Sequence, residues 1–423
     1  MDLRLPAVLS RIRSPEHQTQ ASDSPSPALT PPPGNPRFPL SDGVRGLAIL
    51  GVIACHASAS RWHVAWWGPM AERLDVCVLI FFVLSGFLLY RPFVTARAGG
   101  HPIPSLRQYA RRRVLRIVPA YWVALTVLGL AFALPGVFGS RWWVYYGFLQ
   151  SFQLHVADGG LGPAWSLSVE ASFYLLLPAF AILMRYLGRE GGQWIRHELT
   201  FLGLASLIAF SLQAGAFGGI VPAMPSSFLF LADVFAAGMA LAVASVALEQ
   251  RQLSLGPSTL AGISLVSWAL SAGAFLIGSL VVVLPEPGTR GVSRYQPLEH
   301  HLFMVMCAAL AVLPAVLDRE GRLFPGRLLR VRVLTGLGVI SYGLFLWHQP
   351  LLNWIAPILG RHHWMVGQVS LTNALAAFVL ALPLAVASYY VVELPFLRRK
   401  ERRPIRSVPV SRGPIALGEA PPG

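Results

Sequence analysis

VRGLAILGVIACHAS, residues 44–58, is the stretch on which the rest of the chain turns. It is apolar enough to enter a bilayer, yet it carries Arg45 near one end and His56 near the other, and a bilayer penalises both. On an α-helix, eleven residues turn through about 1100°, only about 20° beyond three full turns. Arg45 and His56 therefore share a face and stand about 16 Å apart along the axis. Each has a plainer reading when taken singly. Arg45 could be a juxtamembrane side chain that snorkels to the interface, and His56 a hydrogen-bonded residue inside a bundle. Together on one face they read as one wall of a path that begins at a membrane surface and ends at depth.

The composition agrees with a membrane setting. Of the 423 residues, 54% are hydrophobic and 13% charged, about half the charge of a typical soluble domain. The net charge is +15, and all but one of the 34 basic residues are arginine, Lys400 being the exception. Such a balance would suit nucleic acid if the charge gathered on one face. Here it is spread over short loops and tails, where it sets membrane topology, so nucleic acid is excluded as a partner. Cys55, Cys77 and Cys307 lie far apart in the sequence within apolar runs, which reads as buried thiols rather than a disulfide framework or zinc site.

Residues 1–38 are rich in Pro and Ser and read as a disordered arm. They hold no signal-peptide run, so no cleaved leader is expected. Residues 398–423, basic and then rich in Pro and Gly, read as a disordered tail. Between them, residues 39–397 form one all-α membrane domain. Runs near the 20 residues a helix needs to span a bilayer fall at about 43–60, 74–94, 115–135, 165–187, 199–217, 228–248, 259–284, 301–317, 334–359 and 369–392. WWVYYGFLQSF, residues 142–152, is too short for a span and suits an interfacial or re-entrant segment. With the N-terminus in the cytoplasm and 142–152 not crossing, the outer loops hold six of the 34 basic residues: Arg61, Arg73, Arg141, Arg290, Arg294 and Arg361. Were 142–152 to cross, every later loop would swap sides and the basic tail would face outward, against the positive-inside bias. The expectation is a polytopic protein of about ten transmembrane helices with both termini cytoplasmic.

In that topology several polar groups fall in the outer half of the bilayer with His56. Asp75 opens the second span, in LDVCVLIFFVLSGFLLYRP. Glu170 lies one to two turns into the fourth, in WSLSVEASFYLLLP, and His348 stands past the middle of the span at 334–359, in GVISYGLFLWHQPLL. Two carboxylates and two imidazoles would form a polar pocket, with Trp165 and Ser166 at its rim. Asp75 and Glu170 could instead favour the positive ends of their helices, and Ser166 could simply satisfy free helix-start donors. On the inner side, YARRRVLRIVPAYW, residues 109–122, clusters arginines before the third span. Arg113 and Arg116 are three apart on one face, and Arg112 is four before Arg116. These could serve topology and lipid headgroups, or grip a phosphate-bearing ligand with guanidinium forks. No glycine-rich phosphate loop of the nucleotide-hydrolase kind is present. The paired histidines at 300–301 and 362–363 lack the carboxylate or cysteine spacing of a metal site, so no metal is expected.

These motifs, in this order, resemble the acyltransferase-3 superfamily of integral membrane O-acyltransferases. The likeness runs from about Phe38 to Phe396. It comprises Arg45 and His56, the FFVLSGFLL block, Arg113 and Arg116 leading into IVPAYW, WSLSVEASFYLL, ISYGLFLWHQP, and ELPF at residues 393–396. The resemblance implies a ten-helix domain in a bacterial plasma membrane. It implies transfer of an acyl group, usually acetyl, from cytoplasmic acyl-CoA to a hydroxyl of a cell-surface carbohydrate or glycolipid. Acyl-CoA would be a co-substrate, and no bound cofactor is implied. A small secondary metabolite such as a macrolide sugar is an alternative acceptor. By motif, His56 would be the catalytic histidine and Arg45 its partner, with Arg113 and Arg116, and beside them Arg112, holding the donor. Glu170 or Asp75 would orient His56 or bind acceptor hydroxyls, and Trp165, Ser166 and His348 would line the acceptor pocket. A neutral imidazole suits general-base work on a sugar hydroxyl near pH 7. The rival from another class is a secondary transporter, which also uses many spans and polar groups at depth, but no repeat relates the two halves of this chain.

Overall fold

The computed structural model describes residues 38–58, 68–152, 159–187, 193–215, 227–251, 255–281, 296–318, 321, 324, 326–359 and 369–399. Most of the N-terminal arm and C-terminal tail, the outer-loop arginines Arg61, Arg290, Arg294 and Arg361, the pair His362 and His363, and most of the loop 285–300 lie outside these residues. Among the described residues every regular element is helical. The long helices are α1 (Leu40–Ser58), α2 (Val76–Ala98), α3 (Leu106–Phe132), α4 (Trp165–Leu187), α5 (Trp194–Gln213), α6 (Ala232–Gln250), α7 (Pro257–Leu276), α8 (Gln296–Leu317), α9 (Ser341–Leu359) and α10 (Val369–Ser388).

Among the described residues, nine helices are long and apolar enough to cross a membrane, and α9 is not among them. The continuous span expected over 334–359 is instead built from two helices, Arg332–Val339 and Ser341–Leu359, that meet at Ile340. His348, Gln349 and Asn353 dilute the apolar run of α9. Residues 142–152 form a five-residue helix, Trp142–Tyr146, and a single 3-10 turn, Gln150–Phe152. Tyr121 Oη donates to Tyr145 O at 2.8 Å and Trp122 Nε1 to Tyr146 O at 3.0 Å, so the segment is pinned against α3 instead of crossing.

Small residues let the central helices approach. On α2 and α6 the glycines are reciprocal: a Cβ on Gly86 would stand 2.4 Å from Phe235 O, and one on Gly238 2.0 Å from Val83 O. Backbone-to-backbone contact of this kind is how helices associate where lipid removes the hydrophobic drive. α1 packs against α2, α9, α10 and the short helix Arg332–Val339. α5 and α7 are peripheral, and α3, α4 and the turn that follows α10 carry Leu130, Leu175 and Val391 at 72%, 80% and 74% exposure, surfaces suited to lipid.

A buried polar network ties α2 to α5 and α6. Glu198 of α5, fully buried, accepts from both Tyr90 Oη and Arg97 Nη2 of α2. Arg97 also lies over the Trp194 ring, 5.4 Å from its centroid. Arg91 pairs with Glu249 of α6 and donates to Ser245 Oγ at 3.2 Å. Charges within a span are held this way, by partners inside the bundle.

Candidate active site

The shared face of α1 survives in three dimensions, and both of its polar ends turn into the protein. At one end, His56 Nδ1 lies 3.0 Å from Nε2 of His348, with the ring centroids 5.1 Å apart. His348 is fully buried on α9, and its Nδ1 is 3.0 Å from Leu344 O and 2.9 Å from Phe345 O, the carbonyls one turn back. His56 itself is half-buried.

At the other end stands a guanidinium cluster. Arg45 Nη1 donates to Asp42 Oδ1 at 3.0 Å and lies within electrostatic reach of Arg116 and Glu170. Arg113 stacks 5.9 Å from the Tyr174 ring centroid and lies within reach of Arg116, Tyr109 and Glu170. Its Nε is buried without a hydrogen-bond partner. Tyr109 Oη donates to Tyr174 O at 3.2 Å, clasping α3 to α4. Glu393, on the π-helical turn Tyr389–Glu393, is buried within reach of Arg116 and Tyr342. Arg112 is exposed and stands outside this group.

The carboxylates are not where the linear reading put them. Glu170 does not meet His56; it accepts from Ser85 Oγ of α2 at 2.5 Å and sits with Arg45, Arg113 and Arg116. Glu170 and Tyr174 are one turn apart on α4, and Arg113 and Arg116 one turn apart on α3. Docking those faces sets the carboxylate among cations, which a low-dielectric interior rewards far more than water does. Asp75 is exposed at the end of the 3-10 turn Arg73–Asp75, near Arg73 and Cys55, and does not join the imidazoles. Ser166 is buried and spends its hydroxyl on Pro163 O at 3.0 Å, a helix-start contact. Trp165 packs edge-on against Phe82 at 6.5 Å. Of the residues expected around the acceptor, His348 is the one that meets His56.

Two participants escaped the linear reading. Ser85 lies within the FFVLSGFLL block, and no local spacing links it to a carboxylate two spans away. Tyr174 could have been found, being four residues after Glu170 on the same helical face. Cys55 turns its Sγ toward Glu72 O at 3.2 Å, off the His56 face, and all three cysteines are free thiols. His300 and His301 diverge: His300 contacts Gly278 O at 3.1 Å, and His301 pairs with Asp233 at 2.6 Å.

Among the described residues, the helices thus place an imidazole pair at one end of α1 and clustered guanidiniums at the other. A sequence profile described as "Acyltransferase domain" matches residues 40–390, and the chain belongs to this acyltransferase-3 family of membrane acyltransferases. It is similar to "Peptidoglycan O-acetyltransferase OatA" of Listeria monocytogenes serovar 1/2a, 25% identical over 84% of this chain and 55% of that protein. It is also similar to "Putative peptidoglycan O-acetyltransferase YrhL" of Bacillus subtilis strain 168, 25% identical over 85% of this chain and 54% of that protein. "Acyltransferase MdmB" of Streptomyces mycarofaciens is 26% identical over 89% of this chain and 96% of its own length. The chain thus spans about half the length of the two peptidoglycan O-acetyltransferases. No solved structure matches.

Proposed function

We propose that the protein moves an acyl group, most simply acetyl, from cytoplasmic acyl-CoA to a carbohydrate hydroxyl at the far side of a bacterial plasma membrane. The observation that carries this reading is the pairing of His56 with His348 at one end of the α1 face whose other end holds Arg45 among Arg113, Arg116 and Glu170. Positive-inside charge supports placing the arginine end, with both termini, in the cytoplasm, where guanidinium forks would take the donor's phosphates. The thioester arm would then run along α1 for about 16 Å to reach His56.

His56 takes the proton of the acceptor hydroxyl as its oxygen attacks the thioester carbonyl. The tetrahedral intermediate collapses, the C–S bond breaks, and the leaving thiolate receives that proton from the imidazolium. The products are the O-acyl ester and free CoA thiol, with no group left on the enzyme. Two relatives are named for peptidoglycan, which supports a surface carbohydrate as the acceptor class.

The test is acyl transfer in membranes containing the wild type or His56→Ala, with labelled acetyl-CoA and a carbohydrate acceptor. Thiol release and labelled ester should both depend on His56, falling by about 10²–10⁴-fold in its absence. Equal product from both proteins would end the general-base assignment. A transporter would release no thiol at all.

A further inference from the structure

We infer that His348 is a positioning residue that sets the tautomer of His56 and so decides which of its nitrogens can act as base. The inference rests on the reading of His56 as the base and concerns the partner behind it. His348 Nδ1 faces two carbonyl oxygens, Leu344 O at 3.0 Å and Phe345 O at 2.9 Å. A carbonyl only accepts, so Nδ1 carries the hydrogen; in a neutral imidazole Nε2 then carries a lone pair. That lone pair points at His56 Nδ1, 3.0 Å away. His56 must donate there, so its Nδ1 holds a hydrogen and its Nε2 carries the lone pair; the Val52 carbonyl, one turn back on α1, also lies against the ring. The backbone of α9 thus orders His348, and His348 together with the Val52 carbonyl of α1 orders His56.

The arrangement also has a part in the proton transfer. When His56 Nε2 takes a proton from the acceptor hydroxyl, positive charge spreads over its ring. His348 Nε2, already accepting from Nδ1–H, stabilises that charge more than it does the neutral ring, which is the differential interaction that lowers a barrier. His348 is fully buried, so its Nε2 is not spent on bulk solvent. Its place on α9, directly after Trp347 and two residues before Pro350, is set by the fold and not by any substrate.

The test compares His348→Gln with His348→Asn. Both are polar and uncharged, but glutamine can set its amide oxygen near the position of Nε2, whereas asparagine is one methylene too short to reach His56. His348→Gln should retain kcat within about tenfold of the wild type. His348→Asn should lose kcat by about 10²-fold with KM for acyl-CoA unchanged, since the arginines proposed to hold the donor lie at the other end of α1. Equal kcat for the two variants would overturn the inference, as would a loss in His348→Asn that appeared as KM alone. Elution of each variant as a folded species in detergent, with the wild-type far-ultraviolet dichroism, is part of the readout. If His56→Ala retains activity the base reading itself falls; if His56→Ala is dead while His348→Asn keeps its kcat, only the positioning role falls.

Discussion

Replacing Glu198 by alanine should be among the most damaging single changes away from the α1 face. Glu198 is fully buried on α5 and accepts from both Tyr90 and Arg97. The Arg97 side chain is 8% exposed, and two of its nitrogens, Nε and Nη1, are buried with no hydrogen-bond partner. Glu198→Ala would strand that guanidinium. Removing one partner of a buried pair costs about 3–5 kcal/mol because the remaining charge is uncompensated. The Trp194 ring, 5.4 Å from the guanidinium, keeps about 0.5–2 kcal/mol of attraction, but that contact exists in the wild type too and offsets nothing new. Allowing for rotation of Arg97 toward the membrane surface, the net loss is about 3 kcal/mol. Glu198→Gln should fall between, because its amide oxygen still accepts from Tyr90. Reversible unfolding in mixed detergent micelles, followed by tryptophan fluorescence, measures the difference. A Glu198→Ala variant within 0.5 kcal/mol of the wild type, about the scatter of an ordinary surface substitution, would refute this account of what holds α5 to the bundle.

Two further outcomes are expected. Arg113→Lys keeps the charge but removes the planar fork stacked on Tyr174, so KM for acyl-CoA should rise by about 10-fold or more, the worth of one charge-assisted hydrogen bond, with kcat unchanged. Initial rates against acyl-CoA concentration check this, with the exposed Arg112→Lys as the comparison that should change little. Gly238→Ala would set a Cβ 2.0 Å from Val83 O and force α2 and α6 apart, at a cost of about 1–3 kcal/mol. A lowered temperature of aggregation in detergent is the measurement, and an unchanged one would mean the helices yield there without strain.

Much of the fold was legible because hydropathy is a local property. A run of about 20 apolar residues crosses a bilayer whatever its neighbours do, so helices such as Met70–Ala98 and Leu229–Gln250 fall where the linear pattern puts them. The brevity of residues 142–152 was readable for the same reason. The split at Ile340 was not, because the apolar run continues through it. The break coincides with close packing on α1, where a Cβ on Gly338 would meet Asp42 O at 1.8 Å.

The site divides along the same line. That Arg45 and His56 share a face follows from helical periodicity within one segment, and the sequence alone determined it. Which groups meet those two ends depends on how separate helices dock, and only the tertiary structure decided that. His348 is 292 positions from His56, and no spacing rule operates over that distance. Glu170 could have faced either imidazole or guanidinium as far as its own helix is concerned. The seating of α4 against α2 and α3 put its half-buried carboxylate beside the Ser85 hydroxyl and the arginines, where opposite charge and a hydrogen bond favour it.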